Sequence, residues 1–179
     1  IQTKTKLNGR NVLRSGLLKS PVLVNLMING NIISNSSVVV RTNILKQVGN
    51  INESHVMVAA EDYNTWLKIA EVTEKFLYIP KVLGEYVFSE DAISRKDMSI
   101  CGNYAIDDFK KHLNDTQLGK CMSLNNYTHG KYLYSNKMYK PALNSLVSNI
   151  NKCPLEYKFK SSYLIVIIYI RMLLSYFFK

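Results

Sequence analysis

Apolar and polar positions along this chain follow two regimes, and the change between them falls near residue 97. Up to that point short strand-like runs alternate with helical spacings. The first ten residues are polar and basic and read as a loop. Ser20 and Pro21 followed by Val-Leu-Val-Asn-Leu-Met-Ile-Asn predict a short helix, with Ser20 as N-cap, Pro21 in the first turn and Gly30 just past the end. Residues 32–40 close on Val38, Val39 and Val40, which predicts a buried strand. Thr42 can cap a brief helix through Lys46, closed by Gly49. From Glu61, the positions Tyr63, Trp66, Leu67 and Ala70 follow i, i+3, i+4, i+7, one face of an amphipathic helix. Residues 76–79 and 82–88 read as two short strands broken at Pro80, which donates no ladder hydrogen bond.

Beyond residue 97 the strand signals fade, and residues 103–113, 122–136 and 138–150 read as helices. After Tyr139, apolar Ala142, Leu146 and Ile150 and then Pro154 recur every four residues, similar to the second helix of a tetratricopeptide-like hairpin. Arrays of that kind repeat about every 34 residues, and no second copy is present, so the pattern predicts a lone helical hairpin packed on what precedes it. Residues 163–179 are apolar except for Arg171, Ser175 and Lys179, a narrow polar stripe on a helix. Such a helix would span about 25 Å, short of a hydrocarbon core of roughly 30 Å, and Arg171 near its middle is costly in lipid. The pattern suits a helix lying in a membrane interface with Lys158 and Lys160 upstream, or equally a C-terminal helix buried against another partner.

Composition narrows the classes. Apolar residues make up 47%, enough for a packed core. The 23 basic and 13 acidic residues give a net charge of +10, which favours anionic partners: phosphate-bearing small molecules, an anionic membrane surface or nucleic acid. Solvating lysines alone would give the same balance. Twelve tyrosines accompany the charge without any recognition motif, so nucleic acid is set aside. Cys101, Cys121 and Cys153 are odd in number and form no C-x-x-C pair, which excludes a disulfide framework or zinc site and fits a reducing compartment.

The candidate chemistry lies at Glu61 and Asp62, which open a helix after Ala59 and Ala60. Unpaired N–H groups and the positive end of the helix dipole favour carboxylates there. The same field stabilises the ionised form that a general base must hold before reaction. Ordinary capping acids would look identical, and Trp66 reads equally as the core anchor of its helix.

The surroundings add a resemblance. Asn31-Ile32-Ile33-Ser34-Asn35-Ser36-Ser37-Val38-Val39-Val40-Arg41, then Val48-Gly49-Asn50-Ile51-Asn52-Glu53, resemble the family-2 glycosyltransferases of GT-A fold. So do Ala60-Glu61-Asp62-Tyr63-Asn64-Thr65-Trp66-Leu67-Lys68-Ile69-Ala70, and later Tyr78-Ile79-Pro80, Leu83-Gly84-Glu85-Tyr86 and Ile93-Ser94-Arg95. The resemblance covers roughly residues 10–97.

It implies an α/β fold: an incomplete GT-A-like mixed sheet with helices over residues 1–97, then an all-α region. That region comprises a helical hairpin over residues 98–160 and an apolar terminal helix over 161–179. Asp62 would be the general base for the acceptor hydroxyl and Glu61 would orient the acceptor or the base. Asn35 and Ser36 would floor the donor sugar, Trp66 would line the substrate site, and Arg95 would approach the diphosphate or a phosphorylated acceptor. Ser89 stands where the family often has a metal-side His, and Gly49-Asn50-Ile51 replaces the usual Gly-Gly-Phe turn. No Asp-x-Asp precedes Glu61. The resemblance therefore implies a nucleotide-binding half upstream of this sequence, carrying most ligands of a divalent Mg or Mn ion, with no metal ligand named here.

The partners implied are a nucleotide-sugar donor and a glycan or polyprenol-linked acceptor. The implied location is cytoplasmic, peripheral on the inner face of the cell membrane. A helical protein-interaction module, or a non-catalytic remnant of a transferase, is the competing reading.

Overall fold

The computed structural model describes residues 2–7, 11–12, 17–86, 96–148, 150 and 153–177. In chain order its elements begin with strands β1 (Gln2–Leu7) and β2 (Asn11–Val12) and helices α1 (Val22–Asn29), α2 (Thr42–Gln47) and α3 (Glu61–Val72). Strand β3 (Tyr78–Tyr86) follows, then helices α4 (Met98–Ile106), α5 (Asp115–Ser135), α6 (Tyr139–Val147) and α7 (Leu155–Phe177). The described chain is mostly helical, and its region after residue 97 is entirely so. The three strands pair in the order β2-β1-β3, antiparallel then parallel. The GT-A-like mixed sheet expected for residues 1–97 is not shown by these three strands.

α1 forms where the sequence placed it, because Val22, Leu23, Leu26 and Met27 fall on one buried face. Ser20 is not its cap. Both carboxylate oxygens of Glu74 accept the Val22 N–H at 3.1 Å, a distant side chain doing what a local hydroxyl was expected to do. Gly30 ends the helix at φ 78, and a Cβ there would sit 3.1 Å from Leu124 Cδ2.

The strand expected over residues 32–40 is absent. Asn35–Ser37 form a 3-10 turn, because the Ser34 carbonyl accepts both the N–H and the hydroxyl of Ser37 at 2.9 and 2.7 Å. Such local bonds compete directly with a strand ladder. Val38 is extended and half-buried, while Val39 is 71% exposed. α2 forms near its expected place with Arg41, not Thr42, as the flanking residue, and Gly49 follows it at φ 80.

Pro80 breaks nothing: β3 runs through it as one strand. Its pairing with β1 shifts register between Thr3 and Lys4 and again between Lys4 and Thr5. That irregularity absorbs the missing donor. The end of the second expected strand, at Phe88, lies outside the described residues.

α3 is buried nearly all round, so its polar side chains need partners. The Tyr63 hydroxyl donates to the Leu26 carbonyl at 3.0 Å, and Asn64 Nδ2 donates to the Ala105 carbonyl at 3.0 Å. These bonds tie α3 to α1 and α4. The apolar core around them unites Leu26, Leu67, Ala105, Phe109 and Cys121, so it continues well past residue 97. α4 starts at Met98 rather than near 103, because Asp97 caps it through the Ser99 N–H at 3.0 Å. It passes directly into a 3-10 segment, Asp107–His112.

α5 likewise starts early, at Asp115, behind a reciprocal capping box between Asn114 and Gln117. Its first half, through Cys121, joins the core above, and its second half, through Leu133, joins a second cluster with Ala142, Leu146, Leu164 and Ile168. α5 and α6 form the expected hairpin. Gly130 permits their close approach, since a Cβ there would lie 2.6 Å from Leu146 Cγ. α7 lays Tyr157, Ser161, Leu164 and Ile168 on this hairpin. No helix among the described residues is long and apolar enough to cross a membrane.

Candidate functional site

The site grows from the loop that follows α1 and the first turn of α3. Asn31, just past Gly30, accepts the Ile33 N–H at 3.2 Å through Oδ1, which fixes its amide plane. Its Nδ2 then donates to Asp62 Oδ1 at 3.3 Å. The same carboxylate oxygen accepts the Tyr63 N–H at 2.6 Å. Asp62 is thus held from two sides, by a loop side chain and by the helix terminus.

The net electrostatics differ from the expectation drawn from the helix dipole. Burial pushes the Asp62 carboxyl above its ordinary pKa, and the neighbouring Glu61 adds to the rise. The Tyr63 N–H and the Asn31 amide pull downward without cancelling it. Desolvation outweighs the helix terminus, so Asp62 is a stronger base than a surface aspartate. Glu61 beside it keeps Oε2 buried with no hydrogen-bond partner. A carboxylate oxygen in that condition is open to a hydroxyl or amide donor.

Asn31 and Ala60 border a cleft of about 240 Å³, with Tyr63, Gly102, Asn125 and Thr128 among its other walls. A larger, mostly apolar cleft of about 920 Å³ lies along the C-terminal half of α3, lined by Trp66, Ile69, Val38, Phe76, Arg41 and Lys75 among others. Trp66 is only 6% exposed, and its Nε1 is buried without a partner. It anchors the core and forms part of that second wall.

The expected site residues are only partly brought together. Glu61, Asp62 and Trp66 share α3. Asn35 and Ser36 lie on the exposed 3-10 turn rather than on a strand, and no hydrogen bond among the described residues links either to Glu61 or Asp62. Arg95 and Ser89 lie outside the described residues.

Two features escaped the sequence reading. Asn31 was part of the matched run, but nothing in its spacing singled it out as the partner of Asp62. The second is a hydrogen bond between Asp97 Oδ2 and His129 Nδ1 at 2.5 Å, whose members lie 32 positions apart on different elements. Burial raises Asp97, but the Ser99 hydroxyl, the Ser99 N–H and His129 together hold it below its ordinary value. Two of the thiols offer little chemistry: burial pushes Cys121 up to about 11 and raises Cys101 as well.

Among the described residues no group of three or more His, Cys, Asp or Glu side chains could hold a metal ion. The described residues thus offer no ligand set for the divalent ion that the resemblance implies. Compared with protein-family models, curated proteins and solved structures, the chain matches none.

Proposed function

We propose that this chain is the acceptor-activating part of an inverting glycosyltransferase related to the GT-A, family-2 enzymes. Its reaction moves a sugar from a nucleotide-sugar donor to a hydroxyl of a lipid-linked or surface-polysaccharide acceptor. The observation that carries the reading is the setting of Asp62: a carboxylate at a helix terminus, aligned by Asn31 and Tyr63, made more basic by burial, and flanked by the unpartnered oxygen of Glu61.

In this reading Asp62 takes the proton of the acceptor hydroxyl as its oxygen attacks the anomeric carbon. The bond from that carbon to the diphosphate breaks on the opposite face, and the nucleoside diphosphate leaves with the electron pair. Glu61, beside Asp62 in the same first turn, orients the acceptor or the base. Any divalent ion serving the diphosphate would be bound by residues other than those described here.

The test uses the enzyme that contains this chain. Asp62→Asn keeps the shape and both hydrogen-bond directions available, but cannot take a proton. Transfer should be lost while donor binding, read by calorimetry with the nucleotide sugar, persists. Unchanged turnover would end the assignment.

A further inference from the structure

The C-terminal helix presents an outward face that the fold itself does not cover. Phe159, Tyr163, Val166, Ile170, Leu173 and Leu174 are each half to three-quarters exposed, although they are large and apolar. On a helix they form one continuous ridge about 22 Å long. The opposite face, with Leu164 and Ile168, rests on the α5–α6 hairpin. Arg171 is exposed at the edge of that contact, with its guanidinium 5.4 Å from the centre of the Tyr134 ring.

The charge around this ridge is lopsided. Residues 116–179 contain nine Lys or Arg and a single acid, Glu156, against fourteen basic and twelve acidic residues in 1–115. Nearly all the net positive charge thus shares a segment with the exposed apolar ridge. Lys158 and Lys160 fall on opposite borders of the ridge, at its N-terminal end. Lys160 also reaches Glu156 at 2.6 Å, which leaves Lys158 as the less compensated of the two.

We propose that α7 docks this protein on an anionic lipid bilayer, lying in the interface with its ridge among the acyl chains and its lysines at the headgroups. An apolar ridge bordered by lysines inserts to that depth, and basic residues add attraction to anionic lipid. A second copy is the poorer occupant, because pairing ridge to ridge sets two strongly basic segments against each other. Among the described residues no helix is long and apolar enough to cross a membrane, so the helix is placed in the interface rather than across it. The inference rests on no part of the transferase reading.

The test is flotation of the full chain with vesicles of phosphatidylcholine alone and of an equimolar mixture with phosphatidylglycerol. Binding to the anionic vesicles should be about tenfold tighter or more, and should weaken as salt rises. The pair Ile170→Glu and Leu173→Glu should lower that binding by about tenfold or more, with an unchanged circular dichroism spectrum and thermal midpoint. Lys158→Gln, which leaves the apolar ridge intact, should weaken binding to the anionic vesicles alone. Equal binding to both vesicle types, or binding indifferent to the paired glutamates, would overturn the proposal. So would a chain that ignores vesicles but sediments as a dimer which the same pair dissociates.

Discussion

The α3 region and the α7 region both bury an apolar helix, but they hold it by different means. α3 is enclosed on nearly every side and cross-linked by side-chain hydrogen bonds, from Tyr63 to Leu26 and from Asn64 to Ala105. α7 is covered on one side only and rests on the hairpin through Leu164 and Ile168. Directional bonds to fixed carbonyls set where a helix terminus sits, which is what a reacting carboxylate such as Asp62 requires. Non-directional apolar contact sets only that a helix stays down, which suffices for a surface that meets lipid. The charge follows the same division, nearly balanced in the first region and strongly basic in the second.

The sharpest test of the contrast separates function from stability at Asp62. Asp62→Asn should lower transfer by about 10²–10⁴-fold, yet leave the thermal midpoint at or slightly above that of the parent. The sign follows from the raised carboxyl: the fold prefers the protonated form, so this group's stabilising contribution is present at low pH and lost as pH rises through its raised pKa. An uncharged amide removes that loss.

Core truncation comes next. Leu67→Ala, at a fully buried position of α3, should cost about 2–5 kcal/mol in urea unfolding, and Leu164→Ala, on the one-sided contact of α7, should cost less. Equal costs would erase the distinction between the two modes of burial. In the hairpin, Gly130→Ala should destabilise by about 1–3 kcal/mol, because Leu146 is buried and has little room to yield. Adding Leu146→Ala should then cost less than it does in the parent chain, a coupling that a double-mutant cycle reads directly.

The smallest effect is at Asp97, where α4 begins. Asp97→Ala should cost about 1 kcal/mol near neutral pH through the lost cap. Because the folded carboxyl is held below its ordinary value, that stabilisation is present above the ordinary carboxylate range and lost as pH falls through the depressed pKa. The stabilities of parent and variant should therefore converge in acid.

Where apolar spacing was local and strong, the sequence was enough. The runs behind α1 and α3 and the four-residue spacing behind α6 stand close to their expected places, because helix periodicity is written within a dozen residues; the terminal helix forms too, but begins at Leu155 rather than Tyr163. So was the presence of two carboxylates at the start of α3. What failed had distant partners or competing local bonds. The valines at 38–40 have strand propensity, but the Ser34 and Ser37 pairing claimed the backbone before them. Pro80 sits in a strand because β1 shifts register to receive it. Glu74 replaced Ser20 as the cap of α1 from across the fold.

By itself, then, the sequence determined an all-helical region after residue 97, a carboxylate pair opening one helix and an apolar helix near the end. Only the tertiary structure decided that Asn31 aligns Asp62, that burial overrides the helix dipole on that carboxyl, and that one face of α7 rests on the hairpin while an apolar ridge faces out. The physical reason is the same in each case. Secondary structure is set by neighbours in the chain, whereas desolvation, side-chain partnership and the choice of exposed face depend on groups that only folding brings together.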